Sequence, residues 1–81
     1  MSPLLQIIAL MRKGQWIEAH NQVQLDDSEA AAWLHALLHV QEGDLEDAEY
    51  WYGKAGRNFR SRSSLSEELN ALETRLRGLE A

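Results

Sequence analysis

Cysteine is absent from the 81 residues, so the chain has neither a disulfide framework nor a thiolate metal site. Apolar and polar residues never alternate as they do in half-buried strands. Residues typical of turns are few and occur mainly at two places, Gly14 and Gly43. These absences predict an all-α chain without covalent cross-links.

Long hydrophobic runs and a basic surface are also missing. No apolar run reaches the ~18 residues that a membrane span requires, and no basic region followed by a secretory core opens the chain. The net charge of −5 argues against general nucleic-acid binding, because such binding needs a basic face. We therefore expect a soluble, cytoplasmic protein that binds neither membrane nor nucleic acid and forms one domain over residues 1–81.

Helical periodicity and capping residues predict five helices. Ser2 and Pro3 suit a helix start, and Ser64 with Glu67 forms a capping box. The helices are expected near residues 3–13, 15–24, 28–42, 44–57 and 64–79. The last of them carries a leucine stripe and a polar back that includes Glu67 and Glu68, which predicts a capping helix that lies over the preceding hairpin.

The clearest pattern runs from Glu29 to Arg57 and predicts two antiparallel helices. Gly43 ends the first of them, because a left-handed residue past the last turn costs little only for glycine. Asp44 then caps the second helix. The inner stripe of this second helix is predicted to consist of Leu45, Ala48, Tyr52 and Ala55.

A weaker copy of this hairpin precedes it, so that residues 3–24 match residues 28–57 at an offset of 29. Gly14 corresponds to Gly43, and the inner residues Trp16, Ala19 and Val23 correspond to Leu45, Ala48 and Tyr52. An internal repeat of this length is typical of helical arrays.

The second hairpin resembles a tetratricopeptide (TPR) repeat through Ala36, the Gly43-Asp44 turn, Ala48, Tyr52 and Ala55. The repeat is shorter than the family's roughly 34 residues, and Ala32, His35 and His39 stand where the family prefers large apolar residues. The resemblance covers roughly residues 4 to 59. It implies a right-handed stack of helical hairpins, closed by the capping helix, that acts as a non-catalytic scaffold for a protein or peptide partner.

Two histidines form the one constellation with possible chemistry. His35 and His39 are four residues apart on one side of a helix, with Glu42 nearby. Two imidazoles at this spacing can hold a divalent metal, with a third ligand from Glu42 or from His20. They can equally line a binding groove or form hydrogen bonds across helices. The leading interpretation is therefore a binding groove in a protein without metal, cofactor or catalysis, and the alternative is a small metal-binding protein or enzyme.

Other candidate binding residues lie in and after the fourth helix. Helical spacing places Tyr50 outward and Trp51 at a boundary, so both are candidates for contact with a partner. Arg57, Arg60 and Arg62 form a short basic run that suits a phosphate or an acidic peptide, or else a solvated loop.

The first helix is apolar on more than one side. Either the C-terminal helix folds back over its second apolar side, or that side forms an interface. We expect a homodimer that buries Leu5 and Leu10 between two copies of the chain.

Overall fold

Five helices account for the regular structure of residues 2–80, which are the residues that the computed structural model describes. They are α1 (Pro3–Arg12), α2 (Trp16–Val23), α3 (Glu29–Glu42), α4 (Leu45–Lys54) and α5 (Leu65–Glu80). No strand occurs within these residues, so the all-α prediction is confirmed. None of the five helices is both long enough and apolar enough for a membrane span.

The helix starts follow the predicted capping chemistry. The hydroxyl of Ser2 accepts the Leu4 N–H at 3.2 Å, and Pro3 occupies the first helical position. At α5 the Glu67 N–H donates to the Ser64 hydroxyl at 3.2 Å, while the Ser64 N–H donates to the Glu67 carboxylate at 3.4 Å. Each of these side chains therefore satisfies a backbone donor that the first turn of its helix leaves free.

Left-handed glycines end three of the helices. Gly14 and Gly43 have φ of +79° and +83°, as their positions after α1 and α3 predict. Gly56 also has a left-handed φ, of +71°. The Arg57 N–H therefore donates back to the Tyr52 carbonyl at 2.9 Å, and α4 ends at Lys54. The prediction that this helix continues to residue 57 is wrong, because it took Gly56 as part of the helix.

Helix α3 lies at the centre of the fold and contacts α1, α2, α4 and α5. Every residue from Ala31 to His39 is buried. A helix that is covered on all sides needs apolar residues all round, and the small side chains of Ala31, Ala32 and Ala36 allow neighbours to approach closely. The two histidines of this helix are buried with it.

Helix α5 lies against both α1 and α3. Its leucines Leu69, Leu72 and Leu76 join the same hydrophobic core as residues of α1, so α5 spans both hairpins instead of only the second. Leu5 is only 4% exposed, and Leu10 is partly buried against the core. The expectation that an uncovered side of α1 presents Leu5 and Leu10 to a second copy is therefore wrong for Leu5, because the chain itself covers that residue.

A buried carboxylate connects α5 to two other helices. Glu68 is 7% exposed, and its Oε1 accepts the hydroxyl of Tyr52 at 2.6 Å and the indole N–H of Trp33 at 3.2 Å. Burial and the hydrogen bond to Glu68 both raise the pKa of Tyr52. The prediction that Glu68 belongs to the polar outer face of the last helix is wrong, because two buried donors from α3 and α4 hold its carboxylate inside.

Two predicted core residues are exposed instead. Trp16 and Leu45, the first residues of α2 and α4, are 40% and 48% exposed. Each begins a helix that follows a glycine turn. Both buried stripes begin one turn later, with Ala19 in α2 and Ala48 in α4.

We expect Ala48→Leu to lower the free energy of unfolding by roughly 1–3 kcal/mol, because the larger side chain overpacks the contact between α3 and α4. Ala48 is 0% exposed in α4, which packs along α3. Denaturant unfolding measures the change, and Ala71→Leu, at an exposed position of α5, is the matched control. Equal stability of the Ala48→Leu and parent proteins would contradict the close approach at Ala48.

Candidate metal centre

All three histidines of the chain meet between α2 and α3. His20 comes from α2, and His35 and His39 come from α3. The ring centroids lie 4.7 Å apart for His20 and His35, 4.9 Å for His20 and His39, and 5.0 Å for His35 and His39. The sequence left open whether Glu42 or His20 supplies a third ligand. The residue that joins His35 and His39 is His20. We call these three side chains the histidine cluster.

The ring nitrogens of the histidine cluster are close enough to share one ion. The Nε2 atoms of His20 and His35 lie 2.8 Å apart, and one nitrogen from each of the three rings lies within 4.8 Å of the other two. Zinc binds histidine nitrogen at about 2.0–2.1 Å, so two nitrogens around a tetrahedral ion are roughly 3.3 Å apart. Small side-chain movements therefore bring the cluster to metal-binding geometry.

Carboxylates lie behind two of the three rings. Nδ1 of His20 is 3.8 Å from Oε2 of Glu42, and Nδ1 of His39 is 3.6 Å from Oδ2 of Asp44. Both distances exceed those of a hydrogen bond. Glu42, predicted as a possible ligand, therefore lies beside His20 on the side away from the other two rings and does not join the cluster.

Two members of the histidine cluster are buried, and the surroundings of His35 disfavour its protonation. His35 and His39 are 6% and 7% exposed. Burial, followed by repulsion from His20 and from His39, lowers the pKa of His35 to about 4. At neutral pH the imidazole of His35 is therefore uncharged, and a metal ion does not have to displace a proton from it.

Trp51 covers one face of the cluster. Its ring stacks on that of His35 with centroids 4.0 Å apart and planes 16° from parallel. Both residues also line a cleft of about 520 Å³ whose other walls include Asp26, Asp27 and Lys54. Of the aromatic residues predicted as partner contacts, Trp51 is half-buried against the cluster and Tyr50 is 59% exposed.

The three predicted anion-binding arginines make different contacts. The guanidinium of Arg57 lies 3.6 Å from the ring centroid of Trp33. Arg62 lies 3.9 Å from the ring centroid of Phe59 and donates to the Phe59 carbonyl at 2.9 Å. Arg60 is exposed. Aromatic rings thus orient Arg57 and Arg62, and these contacts give no sign of a shared pocket for an anion.

Asp44 and Asp47 are candidate ligands that the sequence pattern did not single out. The sequence assigned Asp44 a capping role only, and its carboxylate does accept the Asp47 N–H at 3.4 Å. One ligand atom each from His39, Asp44 and Asp47 also lies within 4.8 Å of the others. The available signal was the position of His39 one turn before Gly43, with Asp44 directly after this glycine and Asp47 three residues later.

Comparison of the chain with protein-family models, with curated proteins and with solved structures gave no match. The geometry of the described residues is therefore the basis for the function proposed below.

The metal-free protein is expected to lose stability as the pH falls from about 6.5 to about 4. The folded-state pKa of His35 is lowered to about 4, so in this range the unfolded chain binds a proton that the folded chain does not. Denaturant unfolding at successive pH values, with a chelator present, measures this loss. His35→Gln, which cannot titrate, should show a shallower pH dependence. Identical slopes for the two proteins would contradict the lowered pKa.

Proposed function

We propose that this chain is a small helical metal-binding domain in which His20, His35 and His39 hold one divalent transition-metal ion. The observation that carries the proposal is the convergence of three ring nitrogens, one per histidine, to within 4.8 Å of one another. The proposal concerns binding and not catalysis.

Internal hydrogen bonding satisfies this cluster only in part. A neutral imidazole has one donor and one acceptor nitrogen, and the 2.8 Å contact between His20 and His35 uses one nitrogen of each. That contact leaves one nitrogen of each of these two rings, and both nitrogens of His39, outside the hydrogen bonding within the cluster. An ion can use several such lone pairs at once, which favours metal binding over hydrogen bonding across helices as the role of the cluster.

Three imidazole ligands favour a particular class of metal. Zn²⁺, Cu²⁺ and Ni²⁺ bind readily to histidine nitrogen, while Ca²⁺ and Mg²⁺ prefer oxygen. Three protein ligands leave a fourth position of a tetrahedral ion open to water or to another ligand. Zn²⁺ is the ion with which we define the test, because its tetrahedral preference suits ligands from two packed helices.

Isothermal titration with Zn²⁺ should show a site that each of His20→Gln, His35→Gln and His39→Gln weakens at least ten-fold, because each removes one of three ligands. Even the loss of a partner behind a metal ligand typically costs 10–100-fold. Asn21→Ala, an exposed change next to His20, is the matched control and should leave the affinity unchanged. Zn²⁺ should also raise the melting temperature, by roughly 10–20 °C at 100 times the dissociation constant, and a chelator should reverse the shift. Unchanged binding in all three histidine variants would contradict the proposal.

A second candidate function is the TPR-like interaction scaffold that the repeat predicts. The order of contacts supports it, since α1 packs with α2, α3 packs with α4, and α3 also packs against α1 and α2. A scaffold needs an uncovered apolar surface, and the first turn of α2 offers one. Trp16 is 40% exposed and Ile17 is 63% exposed. We propose this turn, instead of the covered Leu5, as the surface for association with a second copy of the chain.

Light scattering at micromolar concentration should give a dimer mass for the parent and a monomer mass for Trp16→Glu/Ile17→Glu, because charge at an apolar interface opposes its burial. Leu25→Glu changes an 88% exposed leucine in the α2–α3 connection and should leave the mass unchanged. A monomer mass for the parent would exclude self-association through this turn.

A further inference from the structure

We propose that His39, Asp44 and Asp47 form a second divalent-cation site at the turn between α3 and α4, and that His39 bridges this site to the histidine cluster. The bridging role rests on the function proposed above, whereas the second site stands on its own geometry. One ligand atom from each of these three side chains lies within 4.8 Å of the other two.

The buried nitrogen of His39 is the strongest indication of this second site. Nδ1 is buried without a hydrogen-bond partner among the described residues, and the histidine is only 7% exposed. This nitrogen lies 3.6 Å from Oδ2 of Asp44, beyond the usual 2.7–3.2 Å of a hydrogen bond to oxygen. Two ligands that share an ion at bond lengths of about 2.0–2.2 Å lie roughly 3.0–3.5 Å apart. The separation of Nδ1 and Oδ2 therefore fits a shared cation after a small movement of Asp44.

The turn brings the two aspartates to this nitrogen. Gly43 is left-handed, with φ of +83°, so the chain reverses directly after α3 and Asp44 becomes the N-cap of α4. Asp44 uses Oδ1 to accept the Asp47 N–H, which leaves Oδ2 for a cation. Its side chain is 45% exposed, so solvent water can complete the coordination shell.

The helix dipoles at this turn oppose each other. The carbonyl end of α3 attracts a cation, while the amide end of α4 repels one. Two carboxylates add full negative charges at the same place and outweigh the partial charge of α4. One imidazole with two carboxylates suits Zn²⁺, Mn²⁺ or Fe²⁺, and the open side of the site takes water.

Binding of two ions to His39 would require the loss of the one N–H proton that its neutral ring carries. If Nδ1 bound the second ion while the other ring nitrogen bound the ion of the histidine cluster, the ring would have to give up its remaining N–H proton to the buffer. His39 would then act as an imidazolate ligand shared by the two sites. Filling both sites would therefore release one more proton than filling the histidine cluster alone, with no oxidant or reductant.

The test is equilibrium dialysis against Zn²⁺ alone, followed by metal analysis. The parent should bind two ions per chain, and Asp44→Asn/Asp47→Asn should bind one, because asparagine keeps the capping geometry but removes the charged ligand. Glu46→Gln/Glu49→Gln removes two charges from exposed positions of the same helix and should still bind two ions. Titration in two buffers of different ionisation enthalpy should show the parent releasing one proton more than the asparagine variant.

His35→Gln separates the two proposals. If the second site is real, this variant loses the ion of the histidine cluster and keeps an ion that Asp44→Asn/Asp47→Asn then removes. An unchanged number of ions in the asparagine variant, even at weaker affinity, would overturn the second site and reduce Asp44 to a group that orients His39. An unchanged number of ions in His35→Gln, bound as tightly as in the parent, would instead overturn the histidine cluster as a metal centre.

Discussion

The burial of α3 on all sides is the constraint on which the rest of the structure depends. Four helices contact it, and each residue from Ala31 to His39 is shielded from solvent. An 81-residue chain has little interior, and the apolar side chains of α3 share one hydrophobic core with residues of all four other helices. Every buried polar side chain on α3 must then find a partner inside the protein or bind something from outside it.

The molecule meets that requirement in two different ways. On one side of the fold the carboxylate of Glu68 accepts the indole N–H of Trp33 and the hydroxyl of Tyr52, so these polar groups satisfy one another. On another side His35 shares one hydrogen bond with His20, and Nδ1 of His39 has no partner among the described residues. The first arrangement closes a core, whereas the second leaves lone pairs that a cation can use.

The capping residues made the helix ends predictable from the sequence. Which side chains of a helix are buried depended on how the helices pack. Ser2, Gly43 and the Ser64–Glu67 box act within one or two turns, so the sequence alone indicates their roles. The inward positions of Trp16 and Leu45 were wrong, because helical periodicity does not say how far a neighbouring helix extends.

The candidate metal sites likewise depend partly on local sequence and partly on the packing of the helices. The sequence by itself determined that His35 and His39 share one side of a helix, since residues four apart must do so. It also determined that Asp44 follows them across a glycine turn. Only the tertiary structure decided that His20 completes the cluster, because the packing of α2 on α3 sets which residue meets two histidines that lie 15 and 19 positions further along the chain. The burial of His39, which leaves its Nδ1 facing Asp44, likewise depends on all the helices that cover α3.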